Sequence, residues 1–227
     1  ATDALKERVI PKVCSGEIGC HYNFHDDINK CTRSELAKNL DIAIDNIYKI
    51  TGEKPIGFRA PNFAINDNDL WAYEEISKRF KYDSSYKTSK KFEELDINNL
   101  ISIKGENFNE YYVFCMPIIN NLFKIKSGGT YLRLFPINLI LKCLWKTHKM
   151  GHTPLIYLHP YEITLNKNFW IKWNELSFLP LYKRLYWWLR QNQWARFGHH
   201  QIENKLDKIC SHFEHRGPMR DLLLNSN

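Results

Sequence analysis

The amino-acid sequence predicts an α/β fold built around a parallel sheet, and two observations carry that prediction. Short apolar runs bounded by turn residues are typical of buried strands, and three of them are Pro55–Phe58, Phe80–Tyr82 and Pro154–Leu158. Helical patterns separate the earlier runs, and strands that alternate with helices indicate a parallel sheet. A polar motif follows each run, so these motifs are expected at the carboxyl ends of the strands, where such folds bind ligands.

Three segments have the residue spacing of amphipathic helices. The first, residues 32–52, opens with a capping box of Thr32 and Glu35 and closes at a glycine. The second, residues 68–80, begins at an Asn-Asp pair in which either residue can cap a helix. The third, residues 136–151, opens with a proline, which is common in the first turn of a helix.

The motif with the most chemical content is a pair of histidines. His21 and His25 lie four residues apart, directly after a short apolar run. Neutral imidazole is the commonest protein ligand for zinc, and two imidazoles this close can reach one ion from the same side. The alternative is that His25 forms a hydrogen bond in a loop while Tyr22 and Phe24 lie in the core. The spacing alone does not choose between the two interpretations.

Further polar motifs follow in a definite order, and the stretches concerned are Gly16–His25, Gly57–Phe63, Tyr82–Ser85, Gly128–Pro136, Tyr157–Glu162 and Arg196–His199. Their order and spacing resemble those of the polysaccharide deacetylases of carbohydrate esterase family four, in the branch associated with exopolysaccharide gene clusters. The resemblance spans roughly residues 10 to 210. It implies a distorted (β/α) barrel and a metal-dependent hydrolysis of N-acetyl groups on a polysaccharide or oligosaccharide.

The resemblance also implies roles for individual residues. His21 and His25 are expected to bind a divalent metal, with Zn²⁺ as the expected ion, and the partner is an N-acetylated glycan. Arg59 is expected to orient the catalytic base, and His159 to act as the general acid that protonates the departing nitrogen. The residues expected to line the substrate pocket are Asp83, Pro61, Gly129 and Tyr131.

The family's first motif, a strand that ends in Thr-Phe-Asp, has no counterpart before His21. That motif supplies the base and the third metal ligand, so the chain as given is expected to lack its first strand and to turn over poorly. Three hypotheses stay open. The strand lies upstream of Ala1, or the chain is a non-catalytic carbohydrate-binding relative, or Asp26 or Asp27 supplies the oxygen ligand.

Each site residue also has a purely structural alternative. Arg59 could form an ordinary ion pair with a nearby aspartate, and His159 could simply end a strand. Gly128 and Gly129 could form a turn that requires positive φ, or they could let the backbone approach a sugar. Both interpretations of the glycine pair stay open.

Length and composition indicate one domain over residues 1–227, with residues 165–227 as a helical extension rich in aromatic and basic residues. Hydrophobic residues make up 44% of the chain, enough for a substantial core. The six cysteines form no Cys-x-x-Cys pair. Cys20 and Cys115 lie on strand-like runs and are expected to be buried free thiols, which favours a reducing, cytoplasmic location.

The net charge of +7 raises the question of nucleic-acid binding, but Lys and Arg are spread along the chain, so none is expected. Residues 168–197 interleave aromatic and basic side chains, a composition that suits a membrane interface or a platform for sugars. The favoured interpretation is an outer helix that turns its aromatic residues inward and its charges outward. Peripheral membrane contact is therefore possible on composition but not the favoured prediction.

Overall fold

The computed structural model describes residues 16–95, 108–119, 122–163 and 170–224. The chain divides into two compact units, each with its own hydrophobic core. The first comprises residues 1–113, 151–153 and 216–227, and the second comprises residues 114–150 and 154–215. The expectation of one domain over residues 1–227, with an extension from residue 165, stays a prediction.

The described part of the chain contains both helices and short strands. Its α-helices are α1 (Arg33–Thr51), α2 (Ala72–Ser77), α3 (Gly129–Leu134), α4 (Ile137–Lys149), α5 (Pro160–Ile163), α6 (Leu181–Arg196), α7 (Ile202–Cys210) and α8 (Met219–Leu224). Its strands are β1 (Gly57–Phe58), β2 (Tyr82–Asp83), β3 (Lys87–Thr88), β4 (Asn109–Glu110), β5 (Val113–Phe114), β6 (Met116–Ile118) and β7 (Phe123–Ile125). Single 3₁₀ turns lie at Ile28–Lys30, Pro61–Phe63, Asp67–Asp69, Phe92–Glu94, Trp173–Leu176 and His199–Gln201. None of the helices described here is both long and apolar enough to cross a membrane.

A three-stranded parallel sheet lies in the first unit and confirms the predicted sheet type there. Its strand order is β1-β2-β4, with Gly57 opposite Tyr82 and Tyr82 opposite Asn109. Cys20 forms one further parallel bridge, to Phe58 of β1. The residues that follow Cys20, β1 and β2 therefore emerge at the same edge of this sheet.

The first helix forms where its end signals predict it. The Thr32 backbone N–H donates to Glu35 Oε2 at 2.8 Å, and the Glu35 backbone N–H donates to Thr32 Oγ1 at 3.3 Å, which completes the capping box. The helix ends at Gly52, whose φ of +78° is the left-handed conformation that glycine adopts without strain. Its buried face, with Leu36 and Leu40, joins the core of the first unit.

The second unit combines the antiparallel hairpin of β6 and β7 with a group of helices. Leu132 of α3, Ile140 of α4 and Ile202 of α7 meet in its core. The buried Lys205 of α7 donates to three backbone carbonyls at the end of α3, at 2.9 to 3.0 Å. A cation that satisfies the last carbonyls of a helix stabilises that helix end.

The predicted barrel is not confirmed. In the described ranges the sheets contain two or three strands and none closes on itself. The predicted strand Pro154–Leu158 forms only one parallel bridge, between Tyr157 and Gly128. None of its five residues is fully buried and Ile156 is exposed, so this run does not form the buried strand that its hydrophobicity predicted.

The predicted burial of two cysteines is confirmed. Cys20 and Cys115 are both buried and free. Burial raises the pKa of the Cys20 thiol to about 11, because the thiolate would lose its solvation. Cys20 therefore acts as a core residue of the first unit.

Candidate active site

Two loops at one edge of the parallel sheet are joined by their backbones and by His21. The Cys20 N–H donates to the Gly57 carbonyl at 2.8 Å, and the Arg59 N–H donates to the Cys20 carbonyl at 2.9 Å. His21 Nδ1 lies 2.7 Å from the Arg59 carbonyl oxygen. A carbonyl can only accept, so Nδ1 carries the proton and Nε2 is the acceptor nitrogen of the neutral ring. This is the tautomer that second-layer hydrogen bonds fix in metal-binding histidines.

The second histidine of the motif lies beside the first. The ring centroids of His21 and His25 are 5.5 Å apart and the rings are inclined by 69°. Both side chains are exposed, and Phe24 between them is 56% exposed. The alternative that placed Phe24 in the core is therefore wrong, although Tyr22 does pack partly against the core of the first unit.

Unusual backbone conformations cluster around these loops. Of the four described non-glycine residues with positive φ, three are Tyr22, Asn62 and Phe63, at +67°, +57° and +53°. Such residues are uncommon, and they persist where surrounding contacts enforce them, often at functional sites. The Asn62 side-chain amide donates to Asp27 Oδ1 at 2.9 Å, which links the Arg59 loop to the histidine loop.

Arg59 is fixed to the end of β2 by a pair of hydrogen bonds. Its Nε donates to the Ser84 carbonyl at 3.0 Å, and its Nη2 donates to Ser84 Oγ at 2.9 Å. The guanidinium also lies 5.3 Å from the centre of the Phe63 ring, within cation–π distance. Pro61, two residues further along, is buried at the start of its 3₁₀ turn. Ser84 belongs to a motif that the sequence singled out, but its role as the anchor of Arg59 was missed.

Asp83 is placed differently from its prediction as a pocket-lining residue, because its side chain is fully buried in the first unit. Ser85 donates to it twice, from Oγ at 2.6 Å and from the backbone N–H at 2.9 Å. The Tyr73 hydroxyl lies 3.2 Å from Asp83 Oδ2 and 2.9 Å from Glu110 Oε2. Ser85 Oγ in turn accepts from the Ala60 N–H at 2.7 Å. Asp83 therefore supports the Arg59 loop from beneath, and a wall position is not supported.

The buried Asp83 and the half-buried Glu110 form a carboxyl pair that the sequence did not reveal. Burial raises the pKa of Glu110 well above its usual range, and the neighbouring Asp83 carboxyl raises it further. Burial also raises the pKa of Asp83, although its hydrogen bonds to Glu110 and Ser85 lower it in part. Two adjacent carboxylates repel each other, so the pair keeps one proton to a higher pH than an isolated carboxyl would. The pKa of Glu110 is raised the more strongly, so that proton lies chiefly on Glu110.

The shared proton makes the stability of the fold pH-dependent. A carboxyl with a raised pKa in the folded state stabilises the fold at low pH, and that stabilisation is lost as pH rises through the folded-state pKa. We expect the free energy of unfolding of the wild type to fall across that range, by about 1.4 kcal/mol per unit of pKa difference. Glu110→Gln, which stays neutral and can donate to Asp83, should flatten the dependence. Urea titrations at a series of pH values measure the free energy of unfolding, and the exposed Glu53→Gln serves as the control. The same change of that free energy with pH in all three proteins would contradict the shared proton.

His159 is held by a buried glutamate in the second unit. Its backbone N–H donates to Glu162 Oε2 at 2.9 Å, and its Nδ1 lies 3.2 Å from the same oxygen. The Glu162 side chain is fully buried, whereas the His159 side chain is 49% exposed. A carboxylate oxygen accepts, so Nδ1 carries the proton here and Nε2 is the outward nitrogen. Glu162 stands in one of the motifs, but its role was not predicted.

Two residues of the last motif, Gly198 and His199, contact the residues around His159. His199 Nδ1 lies 3.0 Å from the Glu162 carbonyl, and His199 Nε2 lies 3.3 Å from Arg133 Nη1. Gly198 has φ +79°, and a Cβ there would lie 2.5 Å from the Arg133 carbonyl oxygen. The close approach requires glycine, so the Gly-His pair at 198 and 199 is needed to brace the loop that carries His159.

The glycine pair before α3 follows its structural interpretation. Gly129 is buried with φ +55°, and its N–H donates to the Tyr157 carbonyl at 2.9 Å. A Cβ on Gly128 would lie 2.4 Å from that carbonyl oxygen, so the close approach is to the Tyr157 backbone. Tyr131 is half-buried and stacks on Phe135, with ring centroids 5.8 Å apart.

The structure thus brings His21, His25 and Arg59 together in the first unit. His159 belongs to the second unit, and its position in one cleft with the histidine pair stays a prediction. Across residues 16–95, 108–119, 122–163 and 170–224, no group of three or more His, Cys, Asp or Glu side chains is arranged to hold a metal ion. Asp27, one of the suggested oxygen ligands, is paired with Lys30 at 3.1 Å.

Two families match the sequence. The family described as polysaccharide deacetylase matches residues 9–80, which contain the histidine pair and Arg59. The family described as a domain of unknown function, DUF3473, matches residues 98–221, more than half of the chain, and includes His159 and Glu162. No curated protein matches the chain.

The similarity to solved structures concerns the fold alone. A Mycobacterium smegmatis protein assigned as a polysaccharide deacetylase superposes with a TM-score of 0.55 at 13% identity, over 99% of this chain and 66% of that one. The Xyl-CE4 domain of a multidomain xylanase from the hindgut metagenome of Trinervitermes trinervoides gives a TM-score of 0.29 at 12% identity, over 69% of this chain and 67% of that one. The present chain thus shares the fold of the first protein and spans slightly less than two thirds of its length. It belongs to the DUF3473 family, and its residues 9–80 match the polysaccharide deacetylase family that its motifs resemble.

Proposed function

We propose that the protein hydrolyses N-acetyl groups on a polysaccharide or oligosaccharide, with a divalent metal, Zn²⁺ in our assignment, held by His21 and His25. The observation that carries the proposal is the pair of adjacent, exposed imidazoles on joined loops, within the segment that matches the deacetylase family. The donor set fits zinc, because His21 presents Nε2 while Nδ1 is bound to the Arg59 carbonyl. A catalytic zinc site usually has three protein ligands, so one further ligand is required.

The residues of the chain have distinct tasks in this proposal. A bound divalent ion would polarise the acetyl carbonyl and make its water more acidic. Arg59, fixed by Ser84, supplies a positioned positive charge beside the histidine loop and orients the base. In this step His159 is protonated on both ring nitrogens, and it gives the Nε2 proton to the departing nitrogen while Nδ1–H stays bonded to Glu162. Glu162 is therefore a positioning residue.

The deacetylase assay tests the proposal directly. Acetate release would be measured over a panel of N-acetylated oligosaccharides, with and without a chelator, and with zinc restored. We expect release that the chelator abolishes and zinc recovers. Release that survives the chelator would contradict the metal. Binding of an oligosaccharide with no release from any substrate would favour the non-catalytic carbohydrate binder.

Loss of the Glu162 carboxylate should separate positioning from folding. Glu162→Gln is expected to lower turnover by about 10–100-fold, the range for a partner that orients a functional histidine. Glu162 Oε2 accepts from both the His159 backbone N–H and Nδ1, so the amide oxygen can replace it, but the neutral amide no longer offsets the positive charge of a ring that donates from Nε2. The loss should therefore appear in kcat and not in KM, with the fold unchanged by circular dichroism. The exposed Glu203→Gln should change neither kcat nor KM, and wild-type kcat in Glu162→Gln would refute the positioning role.

A further inference from the structure

Helix α6 of the second unit presents an apolar face to solvent. Its exposed residues are Leu181, Tyr182, Leu185, Tyr186 and Leu189, with exposed fractions of 73%, 70%, 48%, 54% and 52%. Their spacing, at positions i, i+1, i+4, i+5 and i+8, places them on one side of the helix. We call these five residues the leucine–tyrosine face. Large apolar side chains exposed together on one surface mark an interaction site.

The helix is anchored by residues outside this face. Asn192 is buried, and its side chain bonds the backbone N–H and carbonyl of Ile171, both at 2.9 Å. Trp188 is half-buried and meets the Trp173 ring edge-on, with centroids 5.9 Å apart. The leucine–tyrosine face is therefore not what holds α6 to its unit. The prediction that this helix turns its aromatic residues inward is wrong for Tyr182 and Tyr186.

The charges on the helix itself are all of one sign. Residues 181–196 contain four basic residues and no acidic residue. Lys183 lies 5.9 Å from the Tyr182 ring, and the Arg190 guanidinium lies 5.2 Å from the Trp187 ring. Arg190 Nη1 also donates to the Tyr186 hydroxyl at 2.9 Å. Cations held against exposed aromatic rings border the apolar face along its length.

An apolar face bordered by basic residues suits some binding partners better than others. A second copy of the chain would bring two helices of the same positive charge together, which repel each other. A sugar stacks on flat aromatic rings and gains little from three exposed leucines. An anionic lipid surface satisfies both features, since leucine and tyrosine enter the headgroup–acyl boundary and Lys and Arg pair with the lipid phosphates.

We propose that the leucine–tyrosine face docks on an anionic lipid surface, with α6 lying in the plane of the bilayer interface. A helix of 16 residues that carries four charges is shorter than the roughly 20 apolar residues of a membrane span, so it lies on the surface. The proposal is independent of the proposed hydrolysis. Docking of this face would hold the protein beside a lipid bilayer.

Sedimentation with lipid vesicles tests the proposal. The protein would be mixed with vesicles of phosphatidylcholine alone, or with about one third phosphatidylserine, at low and at high salt. We expect binding to the anionic vesicles that high salt weakens, because salt screens the contribution of the basic residues. Absence of binding to anionic vesicles at low salt would overturn the proposal.

Two variants of α6 and two matched variants of α1 make the test specific. Lys183→Glu with Arg190→Glu should lower the partition coefficient by at least about 25-fold, since each basic residue near such a surface contributes roughly 5-fold. Leu181→Ser with Leu185→Ser should lower it by about 10-fold or more, since apolar burial is lost. The control variants change exposed residues of α1 in the same way. Both controls should bind vesicles like the wild type: the charge control is Lys38→Glu with Lys49→Glu, and the apolar control is Ile42→Ser with Tyr48→Ser.

All four substituted pairs lie on the protein surface, and circular dichroism would verify that each variant is folded. Wild-type binding by both α6 variants, or equal losses in the α1 variants, would overturn the assignment to this face. Gel filtration adds an independent outcome. If the wild type were a dimer that the leucine variant dissociates, while vesicles bound neither protein, the face would be a contact between copies and the lipid proposal would be wrong.

Discussion

Replacing His159 by alanine is expected to lower the rate of acetate release by about 10²–10⁴-fold, the usual range for the loss of a general acid. Amide hydrolysis expels a strongly basic nitrogen, which leaves readily only when it receives a proton. Alanine has no proton to give. The His159 side chain is 49% exposed, so its removal leaves no large cavity and the fold should be retained.

The measurement has to separate the proton donor from a metal ligand. Turnover would be followed on the best substrate of the panel, and zinc affinity by calorimetry on the same protein samples. Zinc affinity should stay nearly unchanged, because His159 is not a ligand in this proposal. His148→Ala removes another exposed histidine of the second unit, from α4, and should preserve both quantities. A His159→Ala protein with wild-type turnover, or one that loses zinc, would exclude the assigned role.

Replacing His25 by alanine is expected to weaken zinc binding by about 100-fold or more. Loss of a partner that only orients a ligand costs roughly 10–100-fold, and loss of a ligand should cost at least the upper end of that range. The two rings, with centroids 5.5 Å apart, provide the pair of nitrogen donors in the proposal, and the variant keeps only that of His21. Acetate release should fall with the metal.

Calorimetric titration of zinc into wild type and variant measures this effect. His21→Ala should behave like His25→Ala, because both rings bind the same ion in the proposal. His148→Ala again serves as the matched control, as its imidazole is exposed and remote in sequence from the pair. Undiminished affinity in His25→Ala would show that the two histidines are simply neighbouring loop residues. Zinc binding that both single variants retain would place the metal elsewhere in the protein.

Local signals in the sequence predicted the local structure of the first unit well. The capping box at Thr32 and the glycine at position 52 bound α1 because both act within one turn of the helix. The parallel sheet was predicted because buried apolar runs alternate with helices. The ends of those runs also located His21 and Arg59, because the carboxyl ends of parallel strands share an edge.

The sequence by itself determined the family, the order of the motifs and the residues that meet at one edge of the sheet. Only the tertiary structure decided what lies beneath them. Asp83 follows an apolar run like the other motif residues, yet both residues of β2 are buried, and its carboxyl meets Glu110 from β4. The Asp83–Glu110 pair joins residues that are distant in sequence, so no local sequence pattern predicts it. The exposed face of α6 also depends on residues distant in sequence. Its sequence shows where the apolar residues lie on the helix, but the tertiary structure decides which of them the rest of the chain covers.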